Sequence, residues 1–251
     1  MKYLKRAIVV GSVTFGASVV GMLLQVLIPP EVLTASKSTV GAMVGIVGLL
    51  LALVLGLLIW TAFAVFTTQQ SEAFSLAPVV AEVDLALEQY GGPAATGRAA
   101  FRAALLRSRA RFFDNSGDGP QPFTFVQMRA TFAGVDGYFE SLKPATDTEK
   151  RLLTKAWDGA RKFQDTQMLM ARQLANPFPP HVLNIVVAWA TALFLGNGLV
   201  AATNAVTVVA HLAGAISIAT AIFLILELSH PYNGFIRLSP EGLDLMIEAL
   251  G

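Results

Sequence analysis

The sequence predicts an all-α membrane protein. Four transmembrane helices are expected, with a cytosolic helical domain inserted between the second and third. Three observations lead there. Charged residues make up only 14% of the chain and mean hydropathy is +0.59, against about 25% charged in an average soluble domain. No Asp, Glu, Lys or Arg occurs between Arg6 and Glu31, between Lys37 and Glu72, or between Arg172 and Glu227. Each gap exceeds the roughly 18–20 residues a spanning helix needs, and the third is long enough for two. The charges that remain are concentrated in the segment between, whose pattern is helical.

The first span covers about Ala7 to Ile28 and ends at Pro29-Pro30. Its apolar run is longer than the roughly 7–15 residues of a signal-peptide core, so it is read as an uncleaved helix. A loop is expected over Pro29–Ser38, then a second span from Thr39 to Phe66. The third span is placed at His181–Ala201 and the fourth at Ala205–Leu228, forming a hairpin. The parts are therefore 1–66 with the first two spans, 67–180 as the inserted domain, 181–230 with the last two spans, and 231–251 as a C-terminal tail. Lys2, Lys5 and Arg6 flank the first span, while the outer connections are nearly free of basic residues. The positive-inside rule then places both termini and the inserted domain in the cytoplasm, across the inner (plasma) membrane.

The inserted domain reads as helices. Leu76, Val80, Val83, Leu87 and Tyr90 are spaced as the seam of a packed helix that continues the second span through a bend near Pro78 and stops at Gly91-Gly92-Pro93. A second helix over Thr96–Phe113 carries Phe101, Leu105 and Phe112 on one side. Asp114–Pro120 is a loop. A third helix is expected over Phe123–Leu142. Thr146-x-x-Glu149 has the form of a capping box opening a fourth, which runs to Leu174. Asn176–Pro180 turns the chain back to the membrane.

Few side chains offer chemistry. Arg98, Arg102, Arg107, Arg109 and Arg111 share one helix, and Glu72, Glu82, Asp84 and Glu88 share the helix before it. The arginines suit a lipid-headgroup surface. They suit better neutralisation along a helical hairpin, which would set Glu88 level with Arg98 and Asp84 level with Arg102. The ionisable residues within spans are His211 and Glu227, both on the fourth. They lie 16 residues apart, about 24 Å of rise and roughly 160° of rotation, so they do not pair along one helix. Glu227-x-x-His230 has a spacing used for metal ligation in bundles, but Pro231 interrupts the helix and the pair stands alone, so no metal and no cofactor is assigned. With no cysteine, thiolate chemistry is excluded. There is no nucleophile–base set and no phosphate loop, so no enzyme is expected. A net charge of +1 gives no reason to expect a nucleic-acid partner.

Small residues mark the first two spans: Ser12-x-x-x-Gly16 and Ala17-x-x-x-Gly21 on the first, Gly41-x-x-x-Gly45, Gly48 and Gly56 on the second. This spacing lets helix backbones approach closely, either within one subunit or between copies of the second span.

Two stretches resemble the bacterial bestrophin-like membrane family, whose domain has no assigned function. One is Gly48-Leu-Leu-Leu-Ala-Leu-Val-Leu-Gly-Leu-Leu-Ile59, continued by Thr68-Gln-Gln-Ser-Glu72 and a helix ending in Tyr90-Gly91. The other is Ala221-Ile-Phe-Leu-Ile-Leu-Glu-Leu228, then Pro231-Tyr-Asn-Gly234 and Ile236-Arg-Leu-Ser239. Where the family usually has an Asp, this chain has Ser229, so no role of that carboxylate carries over. The family is remotely similar to bestrophins, which are pentameric anion channels lined by the second membrane helix and its cytosolic extension. The resemblance implies a homo-oligomeric ion channel with inorganic ions and membrane lipids as its other partners. The acidic calcium clasp of animal bestrophins does not carry over, because Glu241, Asp244 and Glu248 lack its spacing.

The pore-lining candidates are Leu49, Leu53, Leu57, Trp60 and Phe66, apolar residues of the kind that gate by dewetting. The first four share one helix face and Phe66 lies off it. The alternative is a non-conducting membrane adaptor whose cytosolic helices bind a protein or lipid, because the span offers only Thr39 and Thr61 where an ion-selective pore usually shows polar rings. Glu227 is expected to face protein near the cytoplasmic interface, accepting hydrogen bonds from the Tyr232–Arg237 turn, His230 or the region of His181.

Overall fold

A computed structural model describes residues 2–91, 94–113, 125–175, 180–232 and 234–250. These residues form eight α-helices and no strand: α1 Lys2–Leu24, α2 Pro30–Tyr90, α3 Ala94–Phe113, α4 Phe125–Ser141, α5 Asp147–Ala175, α6 Pro180–Val200, α7 Ala205–Leu228 and α8 Glu241–Ala249. Four of them, α1, α2, α6 and α7, are long and apolar enough to cross a membrane. The chain divides into two compact units, Met1–Val65 with Phe178–Ser229, and Phe66–Pro177 with His230–Gly251.

α2 is the longest element at 61 residues, roughly 90 Å at 1.5 Å per residue. The expected loop over Pro29–Ser38 is helical from Pro30 onward. Proline suits the first helical position, where its missing N–H is no loss, and Glu31 complements the positive helix start. Reading the boundary from charge alone placed it too late. The helix runs on through Pro78 and stops at Gly91, whose φ of +78° is the left-handed conformation glycine supplies at helix ends. Gly92 and Pro93 lie outside the described residues, as do the 114–120 loop, the expected helix start at Phe123, and 176–179 of the turn before α6.

In the first unit α1 packs against α6 and α7. The buried face of α1 is made of Ala7, Thr14, Ala17, Ser18, Gly21 and Met22, mostly small residues that admit close backbone approach. A Cβ at Gly21 would lie 2.2 Å from the Leu195 carbonyl oxygen, and one at Gly198 would lie 2.2 Å from that of Ser18. The two glycines thus clear the α1–α6 crossing reciprocally. Gln25 secures the same end, its Nε2 donating to the carbonyls of Gly198 at 2.7 Å and Ala201 at 2.6 Å. These carbonyls belong to the end of α6, where intrahelical donors run out. Asn204 then caps α7, accepting from the Thr207 N–H at 2.9 Å.

The second unit is built on the predicted seam. Leu76, Val80, Val83 and Leu87 of α2 are buried with Phe101, Leu105 and Phe112 of α3. Phe163 of α5 meets Phe101 and Phe132 at centroid distances of 5.9 and 5.7 Å. The capping box forms as expected. The Glu149 N–H donates to Thr146 Oγ1 at 3.1 Å, and the Thr146 N–H donates to Glu149 Oε2 at 3.3 Å.

The hairpin charges pair one turn away from the expected match. Arg98 makes a two-pronged pair with Asp84, Nε–Oδ1 2.5 Å and Nη2–Oδ2 3.0 Å, so Asp84 is not left for Arg102. Arg102 donates instead to the Ile247 carbonyl at 3.2 Å. The tail also holds an unexpected helix. α8 presents Ile247 to the core, and its Asp244 pairs with Arg109, which holds the Asp244 carboxyl below its ordinary range.

The α1–α6 crossing is testable. Gly21→Leu should overpack it and lower stability by about 1–3 kcal/mol or more, while Gly16→Leu, whose Cβ meets nothing within 4 Å, should melt like the parent. Equal melting temperatures for the two variants in detergent would contradict the packing.

Candidate functional site

The second apolar helix and the turn after α7 are the places where the predicted site residues gather. From Pro30 to Leu50 no residue of α2 is buried, and further along only Leu51, Leu55, Leu58 and Ala62 form a buried strip before Val65. That strip and the contacts of Gly48 with Leu193 and of Val44 with Gly196 place α2 beside α6. The opposite side is open: Leu49, Leu53, Leu57 and Trp60 are 75%, 70%, 59% and 67% exposed. Their shared face follows from steps of four, four and three residues. Phe66 does not join them and packs against the core of the second unit. Gly41, Gly45 and Gly56 face open space, where a Cβ would meet nothing within 4 Å, while Gly48 is in contact with α6. Thr61, the polar candidate on this stretch, turns its hydroxyl back to the carbonyls of Leu57 and Leu58 at 2.7 and 3.0 Å.

The two ionisable groups of α7 have separate surroundings. His211 Nδ1 donates to the Thr207 carbonyl at 2.8 Å, and its ring stands edge-on to Phe194 at 6.1 Å. Glu227 is 1% exposed, on the packed stretch Ile222–Leu228. His230 is half-buried, just past the helix end.

The segment after α7 holds a buried polar cluster that was not anticipated. Its turn is closed by the Leu238 N–H donating to the Pro231 carbonyl at 2.8 Å. Tyr232 inserts between Phe112 and Phe113, with ring centroids 5.4 and 5.2 Å away, and burial pushes its hydroxyl pKa up. The hydroxyl donates to Gln69 Oε1 at 3.0 Å. Gln69 is itself fully buried, and its Nε2 donates to Gln173 Oε1 at 2.5 Å and to the Met170 carbonyl at 3.3 Å. One amide therefore joins α2, α5 and the turn, with donors and acceptor all engaged. Asn233 of this turn lies outside the described residues.

The arginines of α3 are largely occupied. Arg98 and Arg109 pair with Asp84 and Asp244, and Arg102 and Arg107 donate to the carbonyls of Ile247 and Thr131. Their grouping is thus explained by contacts within the unit.

Gln69 and Tyr232 fall in the two stretches that carried the family resemblance, and the fold brings them into direct contact. The sequence matches the family described as bestrophin-like domain over residues 12–243. This chain belongs to the bestrophin-like family. Neither the curated proteins nor the solved structures compared with it give a match. Together with the four long apolar helices, family membership makes the chain a membrane protein.

Two predictions address this bestrophin-like site. Tyr232→Phe removes the hydroxyl that donates to Gln69 Oε1, and a buried acceptor left unsatisfied costs about 1–3 kcal/mol. The variant should melt earlier than the parent, and unchanged melting would show that the contact is idle. Glu227→Gln should retain the folded protein, whereas Glu227→Leu should lose about 1–3 kcal/mol by removing a buried acceptor. Indistinguishable melting of parent and Glu227→Leu would disprove a structural role for the carboxylate.

Proposed function

We propose that the chain is one subunit of a homo-oligomeric membrane channel or pore, lined by α2 and its continuation beyond the membrane. The observation that carries this reading is the exposed side of α2. A helix with no buried residue over Pro30–Leu50 and an apolar row from Leu49 to Trp60 has its partners outside its own chain. The open positions of Gly41, Gly45 and Gly56 allow another helix to come close. Family membership favours a pore along this element. Leu49, Leu53, Leu57 and Trp60 would form apolar constrictions that open by wetting. On this reading α1, α2, α6 and α7 cross the inner membrane, both termini are cytoplasmic, and the second unit lies in the cytoplasm. The role is transport rather than catalysis.

One observation favours a second reading, a non-conducting adaptor. Thr61 bonds to its own helix, so the Leu49–Trp60 row presents no polar group to an ion. Purified protein in planar bilayers separates the two. The channel reading expects discrete currents absent from protein-free membranes, altered by Leu53→Ser. A silent bilayer across voltages and common ions, with a stoichiometric protein partner co-purifying, would establish the adaptor instead.

A further inference from the structure

Along the first unit, α1 and α7 leave a groove of about 380 Å³. Leu4, Ile8 and Phe15 line it from α1, and Leu212, Ile216 and Phe223 from α7. It lies between two helices of spanning length. Its polar lining is limited to the hydroxyls of Ser12 and Thr220, the latter bonded to the Ile216 carbonyl at 2.8 Å, so the groove suits a hydrocarbon over most of its length. From Leu4 to Phe15 it runs about 16 Å, close to half of a hydrocarbon core of about 30 Å. That is the depth of one leaflet.

One end of the groove is charged. Lys5 precedes Ile8 by three residues and Ser12 by seven, which sets it on the flank of the lining face. It is exposed, and it makes no ion pair among the described residues. The acid at this end of the unit, Glu227, is buried and does not line the groove.

We propose that this groove is a binding site for an anionic phospholipid. An acyl chain lies between α1 and α7, and the phosphate of the headgroup pairs with Lys5. Basic groups at the ends of clefts between membrane helices recognise lipids in this way. The site does not depend on conduction.

The test uses full-length protein in nanodiscs of equimolar phosphatidylglycerol and phosphatidylcholine, extracted gently and weighed by native mass spectrometry. The parent should retain phosphatidylglycerol over phosphatidylcholine by about fivefold, the factor one basic residue near an anionic surface contributes. Lys5→Gln should bring the ratio near parity. Ser12→Trp, at an exposed position on the groove wall, should lose both lipids without lowering the melting temperature, and Ile8→Trp serves if that variant does not fold. A photoreactive residue at position 8 should give an adduct of one chain with one lipid. Parent-like lipid retention in Lys5→Gln and in the groove-filling variant would overturn the proposal. So would a photo-adduct joining two chains, which would assign the groove to a second copy.

Discussion

The fold of the second unit depends on keeping one buried amide satisfied. Gln69 sits fully buried on α2, where its side chain has no access to water. Leaving such a group unpaired costs more than a hydrogen bond normally contributes, because the desolvation penalty is uncompensated. The amide is satisfied only if α5 supplies Met170 and Gln173 and the turn after α7 supplies Tyr232. Three segments far apart in sequence are thereby fixed in register by one side chain. Apolar packing alone tolerates sliding. A polar cluster with each atom engaged does not. The aromatic rings of Phe112 and Phe113 then enclose Tyr232 and keep water from competing for its hydroxyl.

The same economy governs the charged surface of this unit. Of the arginines of α3, two pair with carboxylates and two donate to carbonyls. Individually such half-exposed pairs contribute little. Their effect is on specificity. Arg102 and Arg109 reach Ile247 and Asp244 and so orient α8, whose few apolar residues would not fix its rotation alone.

The sequence made some of this legible and hid the rest for identifiable reasons. The four apolar helices follow from charge-free gaps, because hydrocarbon excludes charge along a whole segment. The seam at Leu76, Val80, Val83 and Leu87 and the capping box at Thr146 and Glu149 were visible because each is fixed by spacing within one helix. The start of α2 at Pro30 was missed because Glu31 and Lys37 looked like loop charges, although a helix end accommodates both. α8 is nine residues long, short enough that its pattern disappears in a tail. Contacts between distant segments leave no periodic trace. Gln69–Tyr232 belongs to that class, and only the fold reveals it.

On the proposed reading, a pore would divide its labour along α2. Following the exposed row past Trp60 by steps of three or four residues gives Ala64, Thr68, Ser71, Ser75, Pro78 and Glu82. The row changes from large and apolar to small and polar beyond Ala64, without a break in the helix. Within the apolar part an ion would have to be dehydrated without replacement ligands, so that part suits a gate and not a filter. Any preference among ions would then arise along the continuation, where hydroxyls and Glu82 take over. Glu82 is shared with Lys155 at 3.4 Å, which makes that position mixed in charge and not purely acidic. A single acidic ring would favour cations through the field it projects along a narrow path. A neighbouring lysine at the same level cancels much of that field. On the proposed reading, the Glu82–Lys155 position would add little bias toward either sign, and size and dehydration would sort the ions at that level.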